Sequence, residues 1–248
     1  TVTTIAKFEE AMATLGAVTG EVDMITRQTT ASFEEMTKTA RLLGSTTRFS
    51  ASEASEGMLQ LARAGFSARE TMDAIPHTLD LATSAGIGLG EASGYVANTI
   101  RQFGLEASRA VDVADAFIVV SNKSNTTVGE LAEAMKMVGT VSASVGASVE
   151  ETASVIGILG DRGVKATMAG TQLRGVLIAL AKPTDKAQRA MEQLGLSTAD
   201  LDPAQNSLHD ISVKLDGAFS KLGNRYDALG IASEIFGRRN ASGALAMA

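Results

Sequence analysis

The stretch Arg48–Asn98, RFSASEASEGMLQLARAGFSARETMDAIPHTLDLATSAGIGLGEASGYVAN, decides the fold because helix starts and helix stops alternate along it. Ser50 and Ser67 each stand three residues before a glutamate. At that spacing a hydroxyl and a carboxylate cap a helix N-terminus reciprocally. Gly65 and Gly86 follow apolar runs and can adopt the left-handed conformation that ends a helix. Since almost no loop separates each stop from the next start, the stretch predicts short helices folded into hairpins.

The same two signals continue along the rest of the chain. Apolar residues recur every three or four positions and sustained alternation with a period of two is nearly absent, which favours α-helix. The predicted helix starts, each with a glutamate three positions later, are Ser32, Ser50, Ser67, Thr127 and Ser148. The predicted glycine stops are Gly44, Gly65, Gly86, Gly104, Gly139, Gly195 and Gly223. The expected fold class is therefore all-α, a compact multi-helix domain of short helices and helical hairpins and not a single long coiled coil.

Prolines and chain ends suggest how this domain is divided. Pro76 lies within a helical run, where it should begin a new helix or kink the existing one. The segment 182–207, KPTDKAQRAMEQLGLSTADLDPAQNS, carries two prolines and several turn formers. We therefore expect a main helical domain over 1–181 and a C-terminal helical subdomain over 182–248. Because the chain begins without Met and ends in a helix-favouring run with no stop signal, we also expect a fragment of a longer chain.

The composition argues against several classes of function. A hydrophobic fraction of 45% over 248 residues is ample for a buried core. The net charge of −6 argues against nucleic-acid binding, which needs Lys and Arg to neutralise phosphates, so we expect no sequence-specific nucleic acid partner. The lack of cysteine excludes disulfides, thiolate metal sites and cysteine nucleophiles, and it fits folding in a reducing cytoplasm. Every window long enough to cross a bilayer contains charge, so no resting transmembrane span is expected.

Two glycine-rich segments superficially suggest phosphate-binding loops. Residues 86–90, GIGLG, are followed by Glu91, where the dinucleotide fingerprint needs a glycine, and no strand precedes them. Residues 160–165, GDRGVK, do not have the Gly-Lys-Ser/Thr ending of a phosphate-cradling loop. We predict a helix-to-helix turn at the first segment and a tight turn at the second.

The remaining polar candidates also favour structural roles. His77 and His209 are far apart and neither has a second ligand at metal-binding spacing; His77 is expected in a first helical turn and His209 in a surface pair with Asp210. Arg109 is expected to pair with Asp112, and most adjacent glutamates fall in first helical turns, where they meet the positive end of the helix dipole. We therefore predict no catalytic, cofactor-binding or metal-binding residues, no cofactor and no enzymatic activity.

Four ordered blocks of the chain resemble one known family. They are the stretch 48–98, TIRQFGLEASRAVDVADAF (99–117), TTVGELAEAMKMVG (126–139) and ILGDRGVKATMAGTQLRGVL (158–177). Together they resemble the conserved domain of phage tail tape measure proteins of the TP901 type, and the resemblance runs from about Phe8 to Ala246. A glycine stop every few turns is not compatible with one extended rod. Within such a protein, this segment would be the folded module and not the extended ruler.

The resemblance implies a function, a location and a set of partners. It implies a scaffold, made in the host cytoplasm, that lies in the lumen of the tail tube, helps to set tail length and leaves the virion before or with the genome. The implied partners are copies of the chain itself in a homo-oligomer, for which the resemblance suggests a trimer, tail tube and tail tip proteins, and tail assembly chaperones.

Two alternatives stay open from the sequence. Small-residue runs such as VGTVSASVGASV (138–149) resemble the close-packing faces of membrane helices, so the segment could insert in the host inner membrane after ejection. Some tape measure proteins also carry cell-wall hydrolase domains, although no hydrolase motif occurs in this chain.

Overall fold

The computed structural model describes the backbone of residues 2–23 and 28–248 and the side chains from Ile5 onward in those ranges. Within them the chain forms thirteen α-helices, two short 3₁₀ segments and one isolated antiparallel bridge between Val22 and Thr29. The prediction of an all-α fold of short helices is confirmed. The helices are α1 (Val2–Thr19), α2 (Ala31–Thr46), α3 (Ala51–Arg63), α4 (Ala68–Ala85), α5 (Leu89–Phe103), α6 (Ala110–Lys123), α7 (Val128–Ser144), α8 (Val149–Asp161), α9 (Ala166–Ala181), α10 (Asp185–Gln193), α11 (Leu208–Phe219), α12 (Arg225–Phe236) and α13 (Ala241–Met247). In the described part of the chain, no helix has both the length and the apolar character needed to cross a membrane.

The chain divides into two compact units, Thr1–Ile118 and Val119–Ala248. This division lies at a different point from the expected boundary at residue 182, which stays a prediction. The second unit contains α7 to α13, in which α8 packs against α11 and α13, and α9 packs against α12 and α13. The segment beyond residue 182 is therefore joined to α8 and α9 through packed helices.

In the first unit, α3 is the central helix and packs against α1, α2, α4 and α5. The Arg48 guanidinium ties its start to the turn between α4 and α5, because it donates to the carbonyl oxygens of Ala82 at 2.9 Å and Ile87 at 3.2 Å. The same guanidinium lies 4.5 Å from the centre of the Phe49 ring, at a distance typical of cation–π attraction. The largest fully buried side chains of these helices are Leu15, Met36, Met58, Leu61, Ile75, Leu81 and Leu89.

In the second unit, α7 and α9 form the most extensive helix pair. Their backbones approach closely because α9 presents Gly170 to the carbonyl group of Ala134. Leu131 and Met135 of α7, and Ile156 and Leu159 of α8, supply the largest fully buried side chains of this core. A sequence rich in alanine and glycine and poor in aromatic residues therefore forms a core of closely spaced helices and aliphatic side chains.

Four of the five predicted helix starts are confirmed as reciprocal caps, at Ser50, Ser67, Thr127 and Ser148. The fifth, Ser32, is wrong, because it lies inside α2 and the cap is Thr30, whose hydroxyl accepts from the Phe33 N–H at 3.2 Å. A bond from the Thr30 N–H to the Glu21 carbonyl oxygen, 3.0 Å long, fixes the chain just before Ala31. The helix therefore begins at Ala31 and leaves Ser32 in its first turn.

The glycine stops are confirmed at Gly65, Gly86, Gly104 and Gly195, all of which have positive φ angles just after a helix. The predicted stops at Gly44 and Gly139 are wrong, since both glycines lie inside helices that continue past them. Gly44 allows the helix to approach the backbone of Ala51 closely, and α7 continues beyond Gly139 to a stop at Gly146 that was not predicted. Three further stops not predicted from the sequence are Gly20, Gly163 and Gly237. Gly223 is also wrong, because α11 ends earlier, at Phe219.

Pro76 lies inside α4, so it does not begin a new helix. Proline removes one N–H from the helix and leaves the carbonyl of Met72 without its usual partner. Pro76 is exposed on the outer side of α4. Water can therefore hydrate the region of the missing hydrogen bond, and the helix continues to Ala85.

The corrected cap of α2 makes a testable prediction. We expect Thr30→Ala to lower the free energy of unfolding by about 1 kcal/mol, because the Phe33 N–H loses its acceptor. Ser32→Ala, only two residues away, is the matched control and should change it by less than about 0.5 kcal/mol, since alanine suits a helix interior. Urea unfolding followed by circular dichroism measures both. Equal losses for the two variants would contradict the observed start of α2.

Candidate functional site

The two glycine-rich segments are turns between helices, as predicted. Gly86 ends α4 in the left-handed conformation and Gly88 is the N-cap of α5. In the second segment, α8 ends at Asp161, Gly163 has a φ of 83°, and Lys165 precedes α9. Neither turn follows a strand, so neither has the strand-to-helix context of the nucleotide-binding loops that it superficially suggested.

A polar network holds the turn between α8 and α9. The Asn125 N–H donates to Asp161 Oδ1 at 2.6 Å, Lys165 Nζ donates to Asn125 Oδ1 at 3.2 Å, and Lys165 Nζ lies 3.6 Å from Glu130 Oε2. Ala166, the next residue, has a positive φ of 49°, which is strained for alanine and needs such support. Sequence analysis missed this network because its partners lie up to 40 positions apart. Its role is to orient the turn at the start of α9.

The structure places the two histidines in unrelated environments. His77 lies in the middle of α4, half-buried, so its expected position in a first helical turn is wrong. It lines a depression of about 250 Å³ together with Glu70, Asp73 and Glu106. Glu70 belongs to the cap of α4, and Asp73 lies 3.8 Å from Arg69. The depression is acidic, but two of its carboxylates already have partners within the same helix.

His209 is exposed in the first turn of α11, as predicted, but the structure shows no contact of its ring with the Asp210 carboxylate among the described residues. The Asp210 carboxylate accepts a 2.7 Å hydrogen bond from the Ser207 hydroxyl, and its backbone N–H donates to that hydroxyl at 3.0 Å. The carboxylate therefore serves the helix cap.

The expected ion pair between Arg109 and Asp112 is present, and both side chains are about half exposed. Among the pairs of adjacent glutamates, Glu150 and Glu151 lie in the first turn of α8, where Glu151 completes the cap with Ser148. No group of three or more His, Asp or Glu side chains in the described ranges is arranged to hold a metal ion. Glu151 therefore serves the cap of α8, and Asp112 serves an ion pair.

The caps change the acidity of four carboxyl groups. The pKa of Glu53 and of Glu130 is lowered mainly by the backbone N–H of Ser50 and of Thr127, respectively. The pKa of Glu70 is lowered mainly by the Ser67 hydroxyl. The pKa of Asp200 is lowered mainly by the hydroxyl of Ser197, which donates to its carboxylate and accepts from its backbone N–H beside the second 3₁₀ segment (Ala199–Leu201).

These shifts predict a dependence of stability on pH. Because Glu53, Glu70 and Glu130 are more acidic in the folded chain than at their ordinary value of 4.5, their contribution is fully present above that pH. It is lost as the pH falls through the lower folded pKa values. We expect a variant with all three changed to Gln to be less stable at neutral pH and to lose less stability than the parent between about pH 5 and pH 3. Urea unfolding at both pH values measures this difference, and equal losses in parent and variant would contradict it.

An apolar groove lies between α1 and α2, with a cavity volume of about 530 Å³. Phe8, Met12 and Phe33 line it, and the Arg41 guanidinium stands 5.5 Å from the centre of the Phe8 ring. Aromatic and methionine side chains beside an arginine are typical of contact surfaces.

A second exposed surface is the outer side of α9, which we call the α9 face. It consists of the adjacent Thr167 and Met168 and then, at intervals of three or four residues, Thr171, Arg174 and Ile178, and all five are exposed. Met168 and Ile178 expose 53% and 54% of their surface. This face bears one charge and two exposed apolar side chains, a composition suited to contact with another protein surface.

The fold and these surfaces define a helical module whose polar side chains mainly serve caps, turns and ion pairs. The chain belongs to the family of phage-related minor tail proteins, whose pattern it matches over residues 37–237. This match extends over most of both units.

Two relatives carry names that agree with this family. The chain is 40% identical over 209 residues to the tape measure protein of Pneumococcus phage Dp-1, covering 83% of this chain and 18% of that protein. It is 29% identical over 184 residues to the probable tape measure protein of Escherichia phage P2, covering 74% of this chain and 23% of that protein. The chain thus spans about a fifth of the length of these relatives. No solved structure matches it. The predicted resemblance to tail tape measure proteins is confirmed.

Proposed function

We propose that this chain is a folded domain of a tail tape measure protein, acts as a scaffold in tail assembly, and helps to set tail length without catalysing a reaction. The observation that carries the proposal is the 40% identity over 209 residues to the tape measure protein of phage Dp-1. Such identity over most of the chain implies a shared fold. A shared fold, together with the match to the phage-related minor tail protein family over residues 37–237, supports a shared role.

In this role the domain contributes contacts with partner proteins and does not contribute to the length of the ruler. A continuous helix of 248 residues would be about 370 Å long at 1.5 Å per residue. The longest described helices, α1 and α4, have only 18 residues each, or about 27 Å. The ruler would therefore lie elsewhere in the full-length protein, and this domain would hold it to its partners.

The proposed location is the lumen of the tail tube, from which the domain leaves before or with the genome. The proposed partners are copies of the same chain, tail tube and tail tip proteins, and assembly chaperones. The net charge of −6 supports this location, because an acidic protein does not hold DNA phosphates in the conduit. The α9 face and the groove between α1 and α2 offer surfaces for protein partners.

Protease protection tests the location and the release. Virions of a phage that encodes this chain would be treated with proteinase K before and after ejection is triggered, and the domain would be followed with an antibody. We expect the domain to be fully protected in intact virions, because the tube wall shields the lumen from the protease. After ejection we expect digestion, because the domain has left the lumen. Digestion in intact virions would contradict the location in the lumen, and continued protection in emptied tails would contradict the release. A major capsid protein that stays protected in both samples is the control.

A further inference from the structure

The α9 face lies beside a contact between α9 and α13. A Cβ atom built on Gly175 would meet the side-chain amide of Asn240 at 2.3 Å, and one on Gly243 would meet Gln172 Oε1 at 2.5 Å. These two short distances place residues 172–175 of α9 directly against residues 240–243 of α13.

Three arginines lie within one or two residues of that contact, and we call them the arginine cluster: Arg174, Arg238 and Arg239. All three are exposed. None has a hydrogen bond, an ion pair or a ring contact with another side chain in the described part of the chain. Glu234, four residues before Arg238, forms an ion pair with Lys186 instead, with 3.4 Å between Lys186 Nζ and Glu234 Oε1. Unpaired arginines beside exposed Met168 and Ile178 match the composition of interface centres, where arginine is enriched.

The charge of the chain is divided unequally between its two units. The first unit, Thr1–Ile118, contains nine Lys and Arg and fifteen Asp and Glu residues, whereas the second, Val119–Ala248, contains thirteen of each. The whole negative excess of the chain therefore lies in the first unit, and the arginine cluster lies in the second. A surface with these arginines complements the first unit electrostatically.

We propose that the α9 face and the arginine cluster of one copy bind the acidic first unit of a second copy. This inference rests on the proposed self-association and names the surface that forms it. The contact joins two different surfaces, so it is head-to-tail and can close into a ring or continue along a line of copies. Met168 and Ile178 supply the apolar part of the contact, and the arginines set its orientation.

Sedimentation velocity of the 248-residue chain at several protein concentrations tests the proposal. In about 50 mM salt we expect a mass above the 25.6 kDa of the monomer that rises with concentration, and in about 500 mM salt a return to the monomer, because salt screens the exposed charges. The combined change Arg174→Glu, Arg238→Glu and Arg239→Glu should weaken association at least tenfold. The matched control changes Lys123, Lys221 and Arg225 to Glu, which alters the net charge equally outside the proposed contact, and it should stay close to the parent.

A second variant tests the apolar part of the contact without a change of charge. Met168→Ser combined with Ile178→Ser should also weaken association at least tenfold, and circular dichroism should show unchanged helix content because both side chains are exposed. If the arginine variant associates as tightly as its control, the docking surface is wrong but self-association stands. If the parent stays monomeric under every condition, self-association of this chain and the surface proposed for it are both wrong.

Discussion

Replacement of Gly170 by alanine is expected to lower the free energy of unfolding by about 3 kcal/mol, at the upper end of overpacking effects. The new Cβ atom would lie 2.1 Å from the carbonyl oxygen of Ala134 and 2.8 Å from its carbonyl carbon. These are backbone atoms of α7, so no side chain can rotate away and the two helices must separate. The α7–α9 contact is the most extensive helix pair among the described residues, so we expect the substitution to destabilise the whole second unit. For a chain of this size the melting temperature should fall by roughly 6–12 °C.

Gly230→Ala is the matched control for this prediction. Gly230 lies in the middle of α12, and a Cβ atom built there meets nothing within 4 Å. Alanine should therefore stabilise the chain by up to about 1 kcal/mol through its higher helix propensity. Thermal unfolding of both variants by circular dichroism compares the same substitution in a tight and an open position. Equal effects at the two positions would contradict the close approach of α7 and α9.

Gly160→Ala is expected to cost about 2–3 kcal/mol, and Thr126→Ala should remove most of that cost. The added Cβ atom would lie 1.8 Å from Thr126 Oγ1 but 3.2 Å from Thr126 Cβ. The hydroxyl alone therefore makes the severe clash. That hydroxyl is buried and has no hydrogen-bond partner in the described part of the chain, so its removal sacrifices no hydrogen bond.

A double-mutant cycle separates these effects. Thr126→Ala alone should cost about 1 kcal/mol for the lost methyl group, and in that background Gly160→Ala should cost less than about 1 kcal/mol more. Urea unfolding of the parent, the two single variants and the double variant gives the coupling. Additive losses would mean that Gly160 does not face Thr126, and would contradict the packing at the end of α8.

Helix starts could be predicted from the sequence because a capping box is local. Ser50, Ser67, Thr127 and Ser148 each satisfy their caps with a residue three positions away. Ser32 has the same spacing to a glutamate, but Thr30 takes the cap because contacts with residues 21 and 22 fix the chain before it. The failure came from a neighbouring segment that the capping pattern does not include.

Glycines were harder to interpret because they serve two purposes. Gly86 and Gly104 end helices with positive φ angles, whereas Gly44 and Gly170 lie inside helices that approach other backbones. Both uses place a glycine after an apolar run, so the sequence alone does not separate them. The partner atoms belong to Ala51 and Ala134, which only the tertiary structure brings near.

The candidate surfaces could be predicted least. Asn125, Asp161 and Lys165 meet only after α6, α7, α8 and α9 have packed. The arginine cluster contains residues about 65 positions apart in sequence, which the contacts of Gly175 with Asn240 and of Gly243 with Gln172 bring together. The tape measure resemblance came from ordered sequence blocks, and no single site residue could have supplied it.

Tail length after an internal deletion tests most directly whether this domain acts by contact or by length. In a phage that encodes this chain, residues 37–237 would be removed in frame from the tape measure protein and tails examined by electron microscopy. We expect few tails or tails of irregular length, because a folded module that holds the ruler to its partners is missing. Abundant tails that are uniformly shorter by about 300 Å, the length of 200 residues as extended helix, would contradict the account.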